Sequence, residues 1–406
     1  MSVNEEAMNA GRGQRAGASP PGERTAGTDI VATGVAAPPP GARVDTTTGR
    51  GNGAAGRLGI LLAPPGAPTH VLLAVLLVAV GLWAGVGGDP FIQLIGQSCA
   101  VYAIAAVGQW LLVGRAGQIA LSGAAFMAIG AFTTGLLGST ALHAFPLTLI
   151  ISAVAGWVVG LAAGLPGLRF RGLYLLLASL ALQFIVSSLA RSYQNEHAPA
   201  GIIVPPLSMG SLDLSIGAPL YFTIVAVLLV VLAVVWVLER TGVGLAWRAL
   251  RESEVAAAIS GIDVTRWKLY AFAASGAITA VAGCLFAYVV GLAEYATYDL
   301  TLSISLITML YIGGIRSRLG ALLGAVVITA LPYVLQQNLN GWLSAVGLKA
   351  DWYTQNVSQV NAGLFSLLFL LVVLFSPRGL EGLFLELESL VRRVMPRRTS
   401  EKGSAP

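Results

Sequence analysis

Of the 406 residues, 56% are hydrophobic and only 11% are charged, and the mean hydropathy is +0.77. A soluble domain carries about 25% charged residues, so this composition excludes an ordinary water-soluble protein and places the chain in lipid. The net charge of +5 matters through where the cations fall.

Residues 1–69 are rich in Gly, Ala, Pro, Thr and Arg and lack apolar periodicity, so they read as a disordered tail. The first apolar run begins near Val71, too late for a secretory signal. Ten runs then follow, at 71–86, 91–113, 119–138, 144–165, 173–190, 219–238, 268–290, 301–315, 319–336 and 360–376. Each is long enough, or nearly so, to cross a bilayer as a helix. The eighth is short and the ninth contains Pro332, so a re-entrant hairpin there stays open. The fold class expected is an all-α integral membrane protein of about ten spans. Its transmembrane domain covers 70–382, and a C-terminal tail covers 383–406.

Alternating sides from a cytoplasmic N-terminus puts 22 of the 24 Lys and Arg inside, leaving only Arg191 and Lys349 outside. That is the split the positive-inside rule demands, and one missed span would scramble it. Both termini are therefore expected in the cytoplasm. The outer segment 191–218 reads as an ordered loop, and Trp342, Trp352 and Tyr353 in the outer segment 337–359 suit a membrane interface.

Within the spans, Gly156, Gly160 and Gly164 repeat at intervals of four and mark a face for close helix packing. Gly313-Gly314 permits a sharp inner turn. Ser179, Gln183 and Ser187 share one face of the fifth run, and Gln97, Ser98 and Gln109 lie in the second. These polar groups read either as interhelical hydrogen bonds or as the lining of a solute path. The path candidates are Gln97, Ser179, Gln183 and Ser187. Cys99 and Cys284 sit inside apolar runs, as small buried hydrophobes. No Asp, Glu, Lys, Arg or His falls near the centre of any run.

The inner segment 239–267 is the most charged connection. From about Leu245 to Ser260 it reads as one helix closed by Gly261 at its C-cap. Ala246, Ala249, Leu250, Ser253, Ala257 and Ser260 form a face of small side chains, with Arg248, Arg251, Glu252 and Glu254 on the rest. Such a helix, about 24 Å long, serves either as a topology anchor or as a surface fitting a partner's groove.

Several stretches together resemble one family. Arg251-Glu252-Ser253-Glu254-Val255-Ala256-Ala257-Ala258-Ile259-Ser260-Gly261 is similar to the cytoplasmic loop of the branched-chain amino-acid type permeases of ATP-binding-cassette importers. Gly114-Arg115-Ala116-Gly117-Gln118-Ile119-Ala120-Leu121-Ser122-Gly123-Ala124-Ala125-Phe126 resembles that family's Gly-Tyr-x-Gly-Gln-x-Ser-Leu-Gly-His-Ala-Ala-Phe. Leu168-Arg169-Phe170-Arg171-Gly172-Leu173-Tyr174, Ile312-Gly313-Gly314 with Gly320 and Gly324, and Phe375-x-Pro377-x-Gly379-Leu380 follow in the family's order. Arg115 replaces an aromatic, Ser122-Gly123 stands for Gly-His, and Ala321 replaces a common Pro, so the solute stays open.

The resemblance implies that the inner helix is the coupling helix that docks on the ATPase. It assigns that contact to Arg251, Glu252, Glu254, Ala256, Ala257 and Gly261. It also implies the partners: cytoplasmic ATPase subunits, a second related permease, an extracytoplasmic solute-binding protein and the lipid bilayer, with no nucleic acid. The solute class is branched-chain or other amino acids, with urea or a sugar as alternatives and a stand-alone secondary transporter as the competing machine. No cofactor, metal site or catalytic residue is expected: there is no Gly-x4-Gly-Lys-Ser/Thr motif, and His70, His143 and His197 are scattered over loops and span ends.

Overall fold

The computed structural model describes residues 89–138, 140, 144–165, 173–209, 212–214, 217–315 and 317–345, with single positions at 359, 363 and 366. The first apolar run, the tenth apart from positions 363 and 366, both tails, residues 168–172, Trp352, Tyr353 and the Phe375–Leu380 motif lie outside the described residues.

The fold is helical. Helix α1 (Pro90–Trp110) starts with proline at its first position and ends in a π turn at Leu111–Arg115. It is followed by α2 (Gly123–Leu137), α3 (Phe145–Gly164), α4 (Leu173–His197) and α5 (Ala218–Arg240). Two short helices, α6 (Gly242–Glu252) and α7 (Glu254–Ile259), precede the long α8 (Val264–Val290). Then come α9 (Leu300–Gly313) and α10 (Arg318–Ala345), the latter continuous through Pro332. Among the described residues five helices are long and apolar enough to cross a membrane, and three shorter apolar ones accompany them.

Strand content is confined to two-residue pairs. β1 (Ile202–Ile203) pairs antiparallel with β4 (Leu292–Ala293), and β2 (Ser208–Met209) pairs with β3 (Leu212–Asp213). The segment expected as an ordered loop after the fifth run is thus partly helix, since α4 runs on to His197, and partly paired strand.

Helix α8 is the hub, and its residues from Ala271 to Leu285 are almost all buried. Lipid gives apolar helices no hydrophobic reason to associate, so contact depends on close backbone approach through small residues. The predicted stripe on α3 does this: Gly156 lies against Gly276, Gly160 against Phe272 and Ala273, and Gly164 against Leu269. A Cβ on Gly160 would stand 2.6 Å from the Phe272 carbonyl oxygen. Gly130 of α2 meets Ala280, and Gly313 of α9 meets Gly320 of α10. The predicted turn at Gly313-Gly314 is present, with Gly314 at φ +124°. Cys99 and Cys284 are buried free thiols.

Two expectations are corrected. The run 119–138 is not a helix throughout: residues 116–122 are non-helical, and α2 begins only at Gly123. The break extends beyond the gap between the two runs, where Gly117 takes φ +69°, because Ile119, Ala120 and Leu121 are apolar yet non-helical. The expected single helix 245–260 is likewise two, because Ser253 adopts extended backbone and its hydroxyl accepts from the Ala256 N–H at 3.2 Å. Serine there serves better as the N-cap of a new helix than as an interior residue of an old one.

Candidate coupling surface and solute route

The end of the bundle that carries Arg115, Glu239 and Arg318 is cross-linked by charge. Glu239, at the end of α5, pairs with Arg115 of the π turn and with Arg318 of α10, the latter at 2.8 Å. Arg115 also lies over the ring of the fully buried Trp110, 5.0 Å from its centroid. One carboxylate thus holds three helices together. It is largely shielded from water, its side chain 13% exposed, where such pairs are worth more than exposed ones.

The coupling candidates build outward from this end. Helix α6 buries Ala246, Trp247 and Leu250, and the Trp247 indole N–H donates to the Trp267 carbonyl at 3.0 Å. Arg251 donates to the Gly114 carbonyl, and its stem packs on Gly117. Glu254 pairs with the buried Lys268 at 2.5 Å, while Glu252 is exposed. Helix α7 closes as predicted at Gly261, with φ +81°. The Gly261 N–H donates to Ala258 and the Ile262 N–H to Ala257, each at 3.0 Å; this is a Schellman cap.

Ala257, expected on the docking face, is 2% exposed and packs within its own chain. A face of small residues lets a helix approach its own bundle, and here that is what it does. The outward side of α7 carries instead Ala256, Val255 at 62% exposure and Ile259 at 83%. Sequence reasoning passed over this pair; two aliphatics four residues apart among charges were its available signal.

The polar stripe of α4 meets the break before α2. The Ser179 hydroxyl accepts from the Leu121 N–H at 2.9 Å. Gln183 is 1% exposed, and its Oε1 accepts from the Ala125 N–H at 2.6 Å and from the Ser303 hydroxyl at 3.1 Å. Its Nε2 donates to the Tyr298 carbonyl at 3.0 Å and to Ser187 at 3.2 Å. Ser303 of α9 also accepts from the Ala124 N–H at 2.9 Å. The first N–H groups of a helix have no partner inside it. Inside a membrane such groups need internal partners, and here side chains from α4 and α9 supply them. Gln97 stands apart from this network, donating to the Gly217 carbonyl at 3.2 Å.

Among the described residues no group of His, Cys, Asp or Glu is arranged to hold a metal ion. One acid lies next to this network: Asp299, between the seventh and eighth apolar runs, caps α9, its Oδ1 accepting from the Leu302 N–H at 3.0 Å.

A family model described as branched-chain amino acid transport system / permease component matches residues 91–375. The high-affinity branched-chain amino acid transport permease LivM of Salmonella typhimurium is 30% identical over 286 residues, 63% of this chain and 66% of the relative. LivM of Escherichia coli is 30% identical over 253 residues, covering 56% and 60%. The autoinducer 2 import permease LsrC of an Enterobacter species is 28% identical over 223 residues, covering 47% and 64%. The chain thus spans a little under two thirds of each relative's length. No solved structure matches. The break before α2, the glycine-packed hub and the capped inner helices all lie inside the matched region, and the chain belongs to the branched-chain amino acid transport permease family of multi-pass membrane proteins.

Proposed function

We propose that this chain is the membrane-spanning permease subunit of an ATP-driven importer, moving a small polar solute inward on energy from a separate ATPase. Family membership supports the permease role. The pairing of Val255 and Ile259 on α7 carries the ATPase contact. They lie four residues apart, on one face of the helix, amid Arg251, Glu252, Glu254 and Arg266. Aliphatic side chains held among charges at a membrane's aqueous edge are unfavourably solvated, and burying each fully in a partner's groove contributes about 1.5–3 kcal/mol. Arg251 and Glu254 fix the helix from below, Ala257 packs it down, Gly261 ends it, and Glu252 and Ala256 rim the apolar pair.

The basic end then faces the cytoplasm, in keeping with the placement of cations. The remaining partners are a second related permease in the bilayer and an extracytoplasmic solute-binding protein. The relatives named for branched-chain amino acids make such a solute the first to assay. Ser179 and Gln183 border the route from behind, holding the backbone that lines it, with Ser187 bonded to Gln183 and Gln97 bordering it separately at the start of α5.

The test uses Val255→Asp with Ile259→Asp. Both side chains are exposed, so the chain should fold and insert as before, yet the ATPase should no longer co-purify and uptake should cease. An intact, ATPase-bound complex in the double variant would make α7 a topology anchor only.

A further inference from the structure

The connection from α8 to α9 leaves the far end of the bundle and descends. The Tyr295 N–H donates to Gln194 Oε1 at 2.8 Å, close to the far end of α4. Three residues later the Tyr298 carbonyl accepts from Gln183. Gln183 stands ten residues from the basic end of α4, about 15 Å along the axis. That is half of a hydrocarbon layer about 30 Å thick. Ser303, one turn into α9, touches the same glutamine. Asp299 lies between these two anchors in the chain, and so, counted from an inner boundary at Leu173, at about the middle of the layer.

Its role as helix cap engages one carboxylate oxygen and leaves its exposure unexplained. Asp299 is exposed, and so are Ala296, Thr297 and Thr301 around it. Among the described residues no cation forms an ion pair with it. Non-helical backbone is not tolerated against hydrocarbon, and an ionised carboxylate there is costly. The truly lipid-like faces differ: α3 turns out Ile150, Val154 and Val158, and α5 turns out Val230, Val234 and Val237. The outward side of α9 mixes Thr301, Ile304, half-buried Ser305 and Tyr311.

We propose that Asp299 and this face of α9 line a water-filled solute route, and that Asp299 receives the ammonium group of a small zwitterionic or cationic solute. The assignment rests on the importer reading above. The Ser305 hydroxyl donates to the Thr301 carbonyl within α9, and among the described residues the charged group on this face is Asp299.

Two experiments on the full chain in vesicles of its native membrane test this. In the first, Thr301→Cys is labelled with a cationic and an anionic methanethiosulfonate reagent, the wild-type chain with its buried Cys99 and Cys284 serving as blank. The cationic reagent should react about tenfold faster, and adding Asp299→Asn should bring the ratio towards one. No labelling of the Thr301→Cys variant would mean the face is covered by lipid or protein, and a ratio indifferent to Asp299→Asn would remove the cation preference; either overturns the proposal. In the second, leucine uptake is measured in cells whose only copy carries Asp299→Asn, which keeps the helix cap. Uptake should fall about tenfold or more at unchanged membrane abundance, with Asp299→Glu retaining more activity. Wild-type uptake in Asp299→Asn would also overturn it. Cells with the wild-type chain that import no leucine would instead count against the solute named above, while the labelling ratio decides the role of Asp299 independently.

Discussion

Gln183→Leu removes four hydrogen bonds while nearly preserving volume. Its amide oxygen accepts from the Ala125 N–H and the Ser303 hydroxyl, and its amide nitrogen donates to the Tyr298 carbonyl and Ser187. Ser303 keeps its bond from Ala124, and half-buried Ser187 loses only the longest contact of the set, at 3.2 Å. The loss therefore concentrates on two backbone groups, the Ala125 N–H and the Tyr298 carbonyl. A buried group stripped of its partner costs about 1–3 kcal/mol in water-soluble proteins, giving about 2–6 kcal/mol for two. Single interhelical hydrogen bonds in membranes average about 0.6 kcal/mol, which sets a floor near 1.2 kcal/mol for the pair. The backbone at these positions lacks a helical alternative, so the expected loss is about 2–4 kcal/mol, above that floor. Reversible unfolding of the purified chain in mixed micelles titrated with sodium dodecyl sulfate reads it directly. Because Tyr298 positions Asp299, uptake should fall as well. A change within about 0.5 kcal/mol of wild type would refute the assignment of these bonds as the anchor of the break.

Gly160→Leu should abolish the folded, monodisperse protein in detergent size-exclusion chromatography, since its Cβ would meet backbone of α8 that cannot move aside; Gly242→Ala, with nothing within 4 Å, is its neutral control. Gly261→Ala meets open space but keeps a left-handed backbone at φ +81°, which costs about 1–2 kcal/mol. Hydrogen exchange at the Ile262 amide, whose bond to Ala257 closes the cap, should accelerate about tenfold, and an unchanged rate would show that the turn tolerates the Cβ.

The spans are legible in the sequence because length and hydropathy report on lipid burial directly. The stripe at Gly156, Gly160 and Gly164 is legible because glycines at a period of four line up on one helix face, where only close packing uses them. The non-helical backbone at residues 119–122 is not, since Ile119, Ala120 and Leu121 are as apolar as a helix and the partner of the Leu121 N–H, Ser179 of α4, is distant in sequence. Ser179 and Gln183 show as a polar stripe, but what they bond to lies beyond any local pattern. Ser253 carries a capping signal, Ser followed by Glu254, that loses to the apparent continuity of helix formers around it. Small size places Ala257 on a docking face, whereas exposure is set by how Trp247 and Lys268 seat the segment. The role proposed for Asp299 has no counterpart in the sequence for a similar reason: hydropathy assigns a connection to the surface and carries no record of one that folds back inward.

Mechanical continuity links the two ends of the proposed machine. From Ile259 the chain passes to the Schellman cap and to Glu254, which pairs with Lys268 at the foot of α8. Arg251 ties the end of α6 to Gly114 in the π turn, where Arg115 meets Glu239, and Glu239 meets Arg318 of α10. Helix α10 packs glycine to glycine on α9 through Gly320, Gly324 and Gly313, and Asp299 caps the start of α9. Every link is a salt bridge, a hydrogen bond to backbone or a contact too close to slide, so a displacement at α7 cannot be absorbed by loose packing. Such rigidity is a physical precondition for coupling and does not by itself make a pathway. The compliant element is the break before α2. Its non-helical backbone is held by Ser179 of α4 at Leu121, and the first turn of α2 after it by Gln183 and by Ser303 of α9, rather than by a continuous helical ladder. Motion of α9 therefore reaches Gln183 and the start of α2 together, and a permease that must open on one side at a time needs its flexibility at that depth.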